Sequence, residues 1–356
     1  MTRPRLQSEY SNRLLAWCAG LLLTAVSVGN AHERDVDIQQ IEYKGWTGAY
    51  EITNGDARVV VVPQIGRIMH YSLAGGQNML WNNPDLLGQI LPANGPPIND
   101  DGELQWQNFG GDKVWSNEQD DFEAINDHSW PPDHWFDGSP QQVERLEQGI
   151  RITSPVSPAN GARVIRDISL TDTGTRLRIA QRLEKVQAAR HPALEPLTYT
   201  IWNVTQIRPP QVTLMPLNPH SGLPGRFRLW DDTSPASFVA DGDIGLFTPH
   251  TTDSQKAGVD SDRWLAGIVG DVVIAEFYRR DATQRYPDGG LSAEVYTSVD
   301  YTELELLSPL VPLQPGDHLE LVIEWELHPL PDTATTDTER VRAATGWLLS
   351  QKPTSH

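Results

Sequence analysis

Along most of this chain apolar and polar positions alternate with a period of two, in short runs separated by turn residues, a pattern that predicts β-strands. Asn54-Gly55 is a hairpin signal between Tyr50–Thr53 and the β-branched run Arg58–Val62. Gly66 precedes a further run from Arg67 to Leu73, and Gly75-Gly76 marks another turn before Met79–Trp81. Together these read as an antiparallel meander. Leu86 to Glu103 is rich in Pro, Gly and Asn and reads as loop. From Gln141 the strand pattern resumes. Gln142–Leu146 and Ile150–Ser154 flank one turn, and Ala162–Thr171 and Thr175–Glu184 flank another at Asp172 to Gly174. In the latter run Leu177, Ile179 and Leu183 alternate with charge, as a half-buried sheet requires. Thr198–Ile207, Gln211–Leu217, Arg226–Trp230, Ser237–Ala240 and Ile244–Phe247 continue the series. Trp264–Val269, Val272–Tyr278, Ser292–Ser298, Thr302–Leu307 and His318–His328 complete it. Only the C-terminus is helical: Thr336 and Glu339 form a capping box, and Val341, Ala344 and Leu348 then share a face. With no βαβ alternation, the fold class is all-β, two large packed antiparallel sheets with a short C-terminal helix. No boundary interrupts the strand series, so residues 32–330 are expected to form one domain and 331–356 the helix and tail.

One stretch escapes this pattern. Gly110 to Asp137 concentrates Trp115, Trp130 and Trp135, His128 and His134, Lys113 and many acids with no strand or helix period. Its aromatics argue for a folded segment, either a polar wall of a binding site or a surface loop pinned by its tryptophans. At the N-terminus, Arg3, Arg5 and Arg13 precede an apolar run from Leu14 to Val28 that ends in small residues. This predicts a secretory signal peptide over residues 1–31, cleaved after Ala31, and a periplasmic or secreted product without membrane attachment. Cys18, the only cysteine, lies in the apolar run, so the mature protein would carry no disulfide.

The 356 residues carry 47 acids against 28 bases, a formal net charge of −19, which disfavours a nucleic-acid partner and leaves a neutral ligand compatible. Twelve tryptophans suit a sugar-binding protein, since the C–H faces of sugars stack on rings, although an aromatic-rich core gives the same count. His128 and His134, with Asp127 and Asp133 beside them, lack the helical spacing of a metal pair and are separated by Pro131-Pro132; no metal is expected. Asn99 to Glu103 is too short for a calcium loop. Nucleophile elbow, phosphate loop and dinucleotide fingerprint are all missing from the sequence.

Three segments in order, GWTGAYEITNGDARVVVVPQIGRIM, then GGDKVW with PPD beyond it, then YPDGGLSAEVYTSVDYTELELLSPLVPLQPGDHLELVIEWEL, resemble the uncharacterised bacterial domain-of-unknown-function branch of the galactose-mutarotase-like superfamily. The resemblance runs from about Tyr43 to Leu327. It implies a β-supersandwich holding a carbohydrate in a cleft on one sheet, and, by the family's aldose 1-epimerases, a carboxylate base and a histidine acid with no cofactor. Glu305, ahead of Pro315-Gly316, occupies the position similar to the family's base, and Glu303 shares its face at period two. His220, in the middle of the chain, is the candidate acid, although its neighbours depart from the family pattern, and His70, His128 and His134 are the alternatives. Gly110 to Trp115 resembles the glycine-pair segment that lines the sugar cleft. Gly111, Asp112, Lys113 and Trp115 are therefore substrate-binding candidates, with Glu118, His134, Trp135 and Arg67 beside them. Fold alone does not fix function. The expected activity is anomer interconversion of a carbohydrate; a non-catalytic glycan-binding protein and a polysaccharide hydrolase or lyase are the alternatives.

Overall fold

A computed structural model describes residues 35–92, 95–249 and 252–351. The expected leader and Cys18 lie outside them. Two ten-stranded sheets, in which every pairing is antiparallel, account for the architecture. The first runs Asp37–Tyr43, Trp46–Thr53, Ala57–Val62, Arg67–Leu73, Gly111–Ser116, Ile201–Ile207, Thr302–Leu307, Ala293–Thr297, Gln255–Val259, Arg228–Leu229. The second runs Phe238–Asp241, Ile244–Phe247, Val212–Pro216, Trp264–Val269, Val272–Phe277, His318–Pro329, Leu177–Lys185, Ala162–Leu170, Gly149–Thr153, Gln142–Arg145. The all-β expectation holds, and the sheets with their helix lie within one compact unit. No helix among the described residues is long and apolar enough to cross a membrane.

The main core is filled from the inner faces of both sheets: Val59, Val61, Leu304 and Leu306 from the first, Ile168, Ile179, Leu183, Ile323 and Trp325 from the second. Asn54 shapes the first hairpin as its dipeptide foretold, its Oδ1 accepting from the backbone N–H groups of Asp56 and Ala57, both at 2.9 Å. The C-terminal helix Asp337–Ser350 starts with the expected capping box: Thr336 Oγ1 accepts from the Glu339 backbone N–H, and the Glu339 carboxylate accepts from that of Thr336. Its Ala344 and Leu348 pack with Leu214, Trp264, Ala266 and Val273 in a second apolar cluster, separate from the main core.

The aperiodic stretch is where expectation and structure part. It opens on a strand, Gly111–Ser116, in the middle of the first sheet, and all six residues of the strand are buried. Both faces are covered, so alternation, which reports one wet and one dry face, gives no signal. Gly111 is required there by its backbone: φ is +70°, and a Cβ would lie 2.3 Å from the Ile68 carbonyl oxygen. Beyond the strand the chain leaves the sheet through a short helix, Phe122–Asn126, and returns at Asp137.

Candidate functional site

Register builds the site. Glu305 lies opposite Val204 on one neighbour and Glu294 on the other, and Lys113 lies opposite Val204. One row along, Glu303 lies opposite Gln206 and Tyr296, and Tyr296 opposite Lys256. Directly paired residues point to the same face, as do residues two apart, so Lys113, Trp115, Trp202, Glu294, Lys256, Glu303 and Glu305 all project from one side of the first sheet. Leu304 and Leu306 project from the other side, into the core. The site therefore sits on the outer face, where Phe122 packs with Trp115, Trp202 and Leu307.

A cavity of about 820 Å³ opens there, its walls including Glu303, Glu305, Trp115, Glu118, Lys256 and Tyr301. Trp106, Trp130, Trp202 and Trp230 also line it. Four of the indoles meet edge to face: Trp115 with Trp202 at 5.0 Å, Trp106 with Trp130 at 5.1 Å, Trp115 with Trp130 at 5.8 Å and with Trp106 at 6.0 Å between ring centroids. Asp137 holds two of these rings, accepting from Trp106 Nε1 at 2.8 Å and Trp115 Nε1 at 3.0 Å, while its other oxygen is ion-paired with Arg67.

Each of the two central carboxylates is anchored through one oxygen. Glu305 Oε2 accepts from Trp202 Nε1 at 2.8 Å and Lys256 Nζ at 3.1 Å. Glu303 Oε1 accepts from Gln206 Nε2 at 2.9 Å and Lys113 Nζ at 3.2 Å. Both side chains are almost wholly buried, yet both line the cavity. Lys256 also reaches Glu294 Oε2 at 2.6 Å, and its ammonium lies over the rings of Trp202 and Trp230, 5.0 and 5.1 Å from their centroids. Lys113 lies behind Glu303, over Trp115 at 5.1 Å.

Burial sets the protonation here. It raises the Glu305 carboxyl, against the opposing pull of the Lys256 ammonium. Glu294, sealed beneath the cavity, is pushed up to about 8 by burial, with Lys256 opposing and Glu305 adding to the rise. Burial draws Lys256 down, but the two carboxylates beside it outweigh that and hold it cationic. Lys113 is lowered by burial, with Glu303 opposing. A stability signature follows for Glu294. At low pH the folded and unfolded chains both keep its proton. As pH rises from about 4.5 toward about 8, the unfolded chain ionises it while the folded chain resists, so its contribution to stability falls across that window. Urea unfolding of wild type and Glu294→Gln at pH 5 and pH 8 measures this: the variant is expected to lose less stability between the two than wild type.

Of the residues predicted from sequence, Glu303, Glu305, Trp115 and Glu118 meet around this cavity, with Lys113 directly behind it. The others do not line it. His220 is exposed and lines a different cavity of about 890 Å³, with Asp260, Trp264 and Arg280, because its loop leaves a strand of the second sheet. His220 is therefore placed away from Glu305 and does not fit the acid role expected of it. Arg67 is fully buried, tied to Asp137 and donating to the Gly110 carbonyl at 2.8 Å, so it supports the tryptophans from behind. Asp112 points the other way, between the sheets, to Arg166, Asn203 and Thr205. Gly111 contributes backbone shape alone. Trp135 packs against the main core with His134 tilted over it at 5.0 Å.

Sequence reasoning missed Lys256, Glu294, Trp106, Trp202 and Trp230 as site residues, and Trp130 entered only as part of the aperiodic stretch. The tryptophan count was the one available hint. Among the described residues no group of three or more His, Cys, Asp or Glu side chains is placed to hold a metal ion.

No curated protein matches the sequence significantly. Among solved structures, a galactose mutarotase-like protein from Clostridium acetobutylicum aligns at 9% identity over 83% of this chain and 99% of its own, with a TM-score of 0.47. A galactose mutarotase related enzyme from Lactobacillus acidophilus aligns at 10% identity over 80% and 98%, with a TM-score of 0.44. Residues 49–328 match the family model described as a domain of unknown function, DUF4380, and the chain belongs to that family.

Proposed function

We propose that this protein binds a carbohydrate in the tryptophan-lined cavity and interconverts its anomers with Glu305 as base. The observation that carries the reading is the meeting of five indoles with two carboxylates, each fixed by two donors to one oxygen, the other having no described partner. Indole faces take the C–H side of a sugar ring, and the second carboxylate oxygens take its hydroxyls. In the reaction Glu305 accepts the proton of the anomeric hydroxyl, the bond between C1 and the ring oxygen breaks, and a second group protonates that oxygen. Rotation about the next C–C bond and reclosure from the other face give the opposite anomer. No cofactor is consumed. With the expected signal peptide, the sugar is met outside the cytoplasm.

A second reading, sugar binding without catalysis, is favoured by one observation: among the described residues no histidine lines the cavity to serve as the general acid. Tryptophan fluorescence titrated with a panel of hexoses and pentoses, alongside NMR measurement of anomer exchange in the same samples, separates the two. Quenching with accelerated exchange is expected. Quenching without exchange leaves only the binding reading, and neither signal with any sugar removes both.

A further inference from the structure

The cavity's hydrogen-bonding inventory is lopsided. Of its five indole N–H groups, those of Trp106 and Trp115 are taken by Asp137 and that of Trp202 by Glu305. Lys256 is held between Glu294 and Glu305, Arg228 donates to the Asp288 carbonyl at 2.8 Å, and the Tyr296 hydroxyl donates to Ser254 at 2.8 Å. The donors of the wall are thus largely spent inside the protein.

Acceptors are not. Six carboxylates line the cavity against two basic side chains, Arg228 and Lys256. Among the described residues Glu118, Asp120 and Asp232 have no ion pair, while at the floor the two nearly buried carboxylates Glu303 and Glu305 have one oxygen each with no described partner. The carboxylates also repel one another: burial raises Glu118 and the Asp121 charge pushes it further, against the Asp288 backbone N–H and the Arg285 guanidinium, which draw it down. A ligand that brings donors and positive charge relieves that repulsion, whereas one that brings an anion adds to it.

Resting on the carbohydrate reading above, we propose that the cavity selects amino sugars with a free protonated amine over neutral sugars and rejects sugars that carry a carboxylate. An ammonium supplies three donors and no acceptor, the complement of this wall. The rings add to the match, because aromatic faces attract cations and two of them, Trp202 and Trp230, already hold the Lys256 ammonium. N-acetylation removes both the charge and two of the donors, so the acetylated sugar falls back among the neutral ones.

Isothermal titration at pH 6 with glucosamine, galactosamine, their N-acetyl forms, glucose, galactose and glucuronate tests this. The better amino sugar is expected to bind about tenfold more tightly than its neutral counterpart, the gain of one charge-assisted hydrogen bond over an ordinary one, with glucuronate the weakest ligand. The gap narrows in high salt and again above the pH at which the free amine loses its proton. A Glu118→Gln/Asp232→Asn variant narrows it as well. Equal binding of amino and neutral sugars, or glucuronate as the tightest ligand, overturns this inference and leaves carbohydrate binding standing. Silence from every sugar overturns both.

Discussion

Glu305→Gln slows anomer exchange about 10²–10⁴-fold, the range for losing a positioned general base. The substitution keeps the shape of the side chain and an oxygen for Trp202 Nε1 to donate to, and removes only the ability to take a proton. Lys256 keeps its contact with Glu294 at 2.6 Å, and loss of the Glu305 charge, which helps to hold Glu294 protonated, lets that carboxyl ionise more readily as the counter-charge. Anomer exchange measured by NMR with the tightest-binding sugar gives the answer. A Glu305→Gln protein that exchanges sugar as fast as wild type ends the base assignment. The pH profile adds a second readout. A base works in its ionised form, so activity rises through the Glu305 ionisation, and Lys256 is the cation that holds this ionisation down against burial. Lys256→Met therefore moves the acid limb of the profile to higher pH, whereas a purely structural lysine would lower the plateau and leave the limb in place.

Much of this architecture was legible because its signals are local. Asn54-Gly55 announces its hairpin through its own hydrogen bonds, and Thr336 with Glu339 announces the helix. Glu303 and Glu305 share a face because a strand has period two, whichever strands lie beside it. What could not be read depends on neighbours distant in sequence. Lys256 becomes a site residue only because its strand lies two strands from Glu305 in the sheet, 49 positions away along the chain. Gly111–Ser116 carries no alternation because both of its faces are covered. Arg67 and Asp112 were drawn toward the cavity by their charge, since charged side chains are rarely buried unless paired. Each proves to be paired, Arg67 with Asp137 and Asp112 with Arg166, and neither partner is near in sequence. His220 failed for a related reason: position along the chain does not say which of two stacked sheets a loop leaves.

The pairing of Asp112 gives the largest expected loss of stability. Asp112 and Arg166 lie between the two sheets, both almost wholly buried, and Asp112 also accepts from Asn203 at 2.9 Å and Thr205 at 3.0 Å. Arg166 leans on this carboxylate, since its Nε and Nη1 have no hydrogen-bond partner. Glu276 shares the same interior, where burial keeps it protonated far above the usual carboxylate range, so it supplies no ready counter-charge. Asp112→Asn is therefore expected to destabilise the fold by about 3–5 kcal/mol, the cost of stranding a buried cation. Removing that cation as well should recover most of the loss: in Asp112→Asn/Arg166→Met the interior is again neutral, and the double variant unfolds at higher urea than the single one. A double-mutant cycle by urea unfolding measures the coupling. Additive losses, with the double variant no better than the sum of the singles, would sink the claim that the two charges depend on each other. The same proteins separate structure from binding: Asp112 faces away from the tryptophan cavity, so the double variant, once folded, still quenches with sugar.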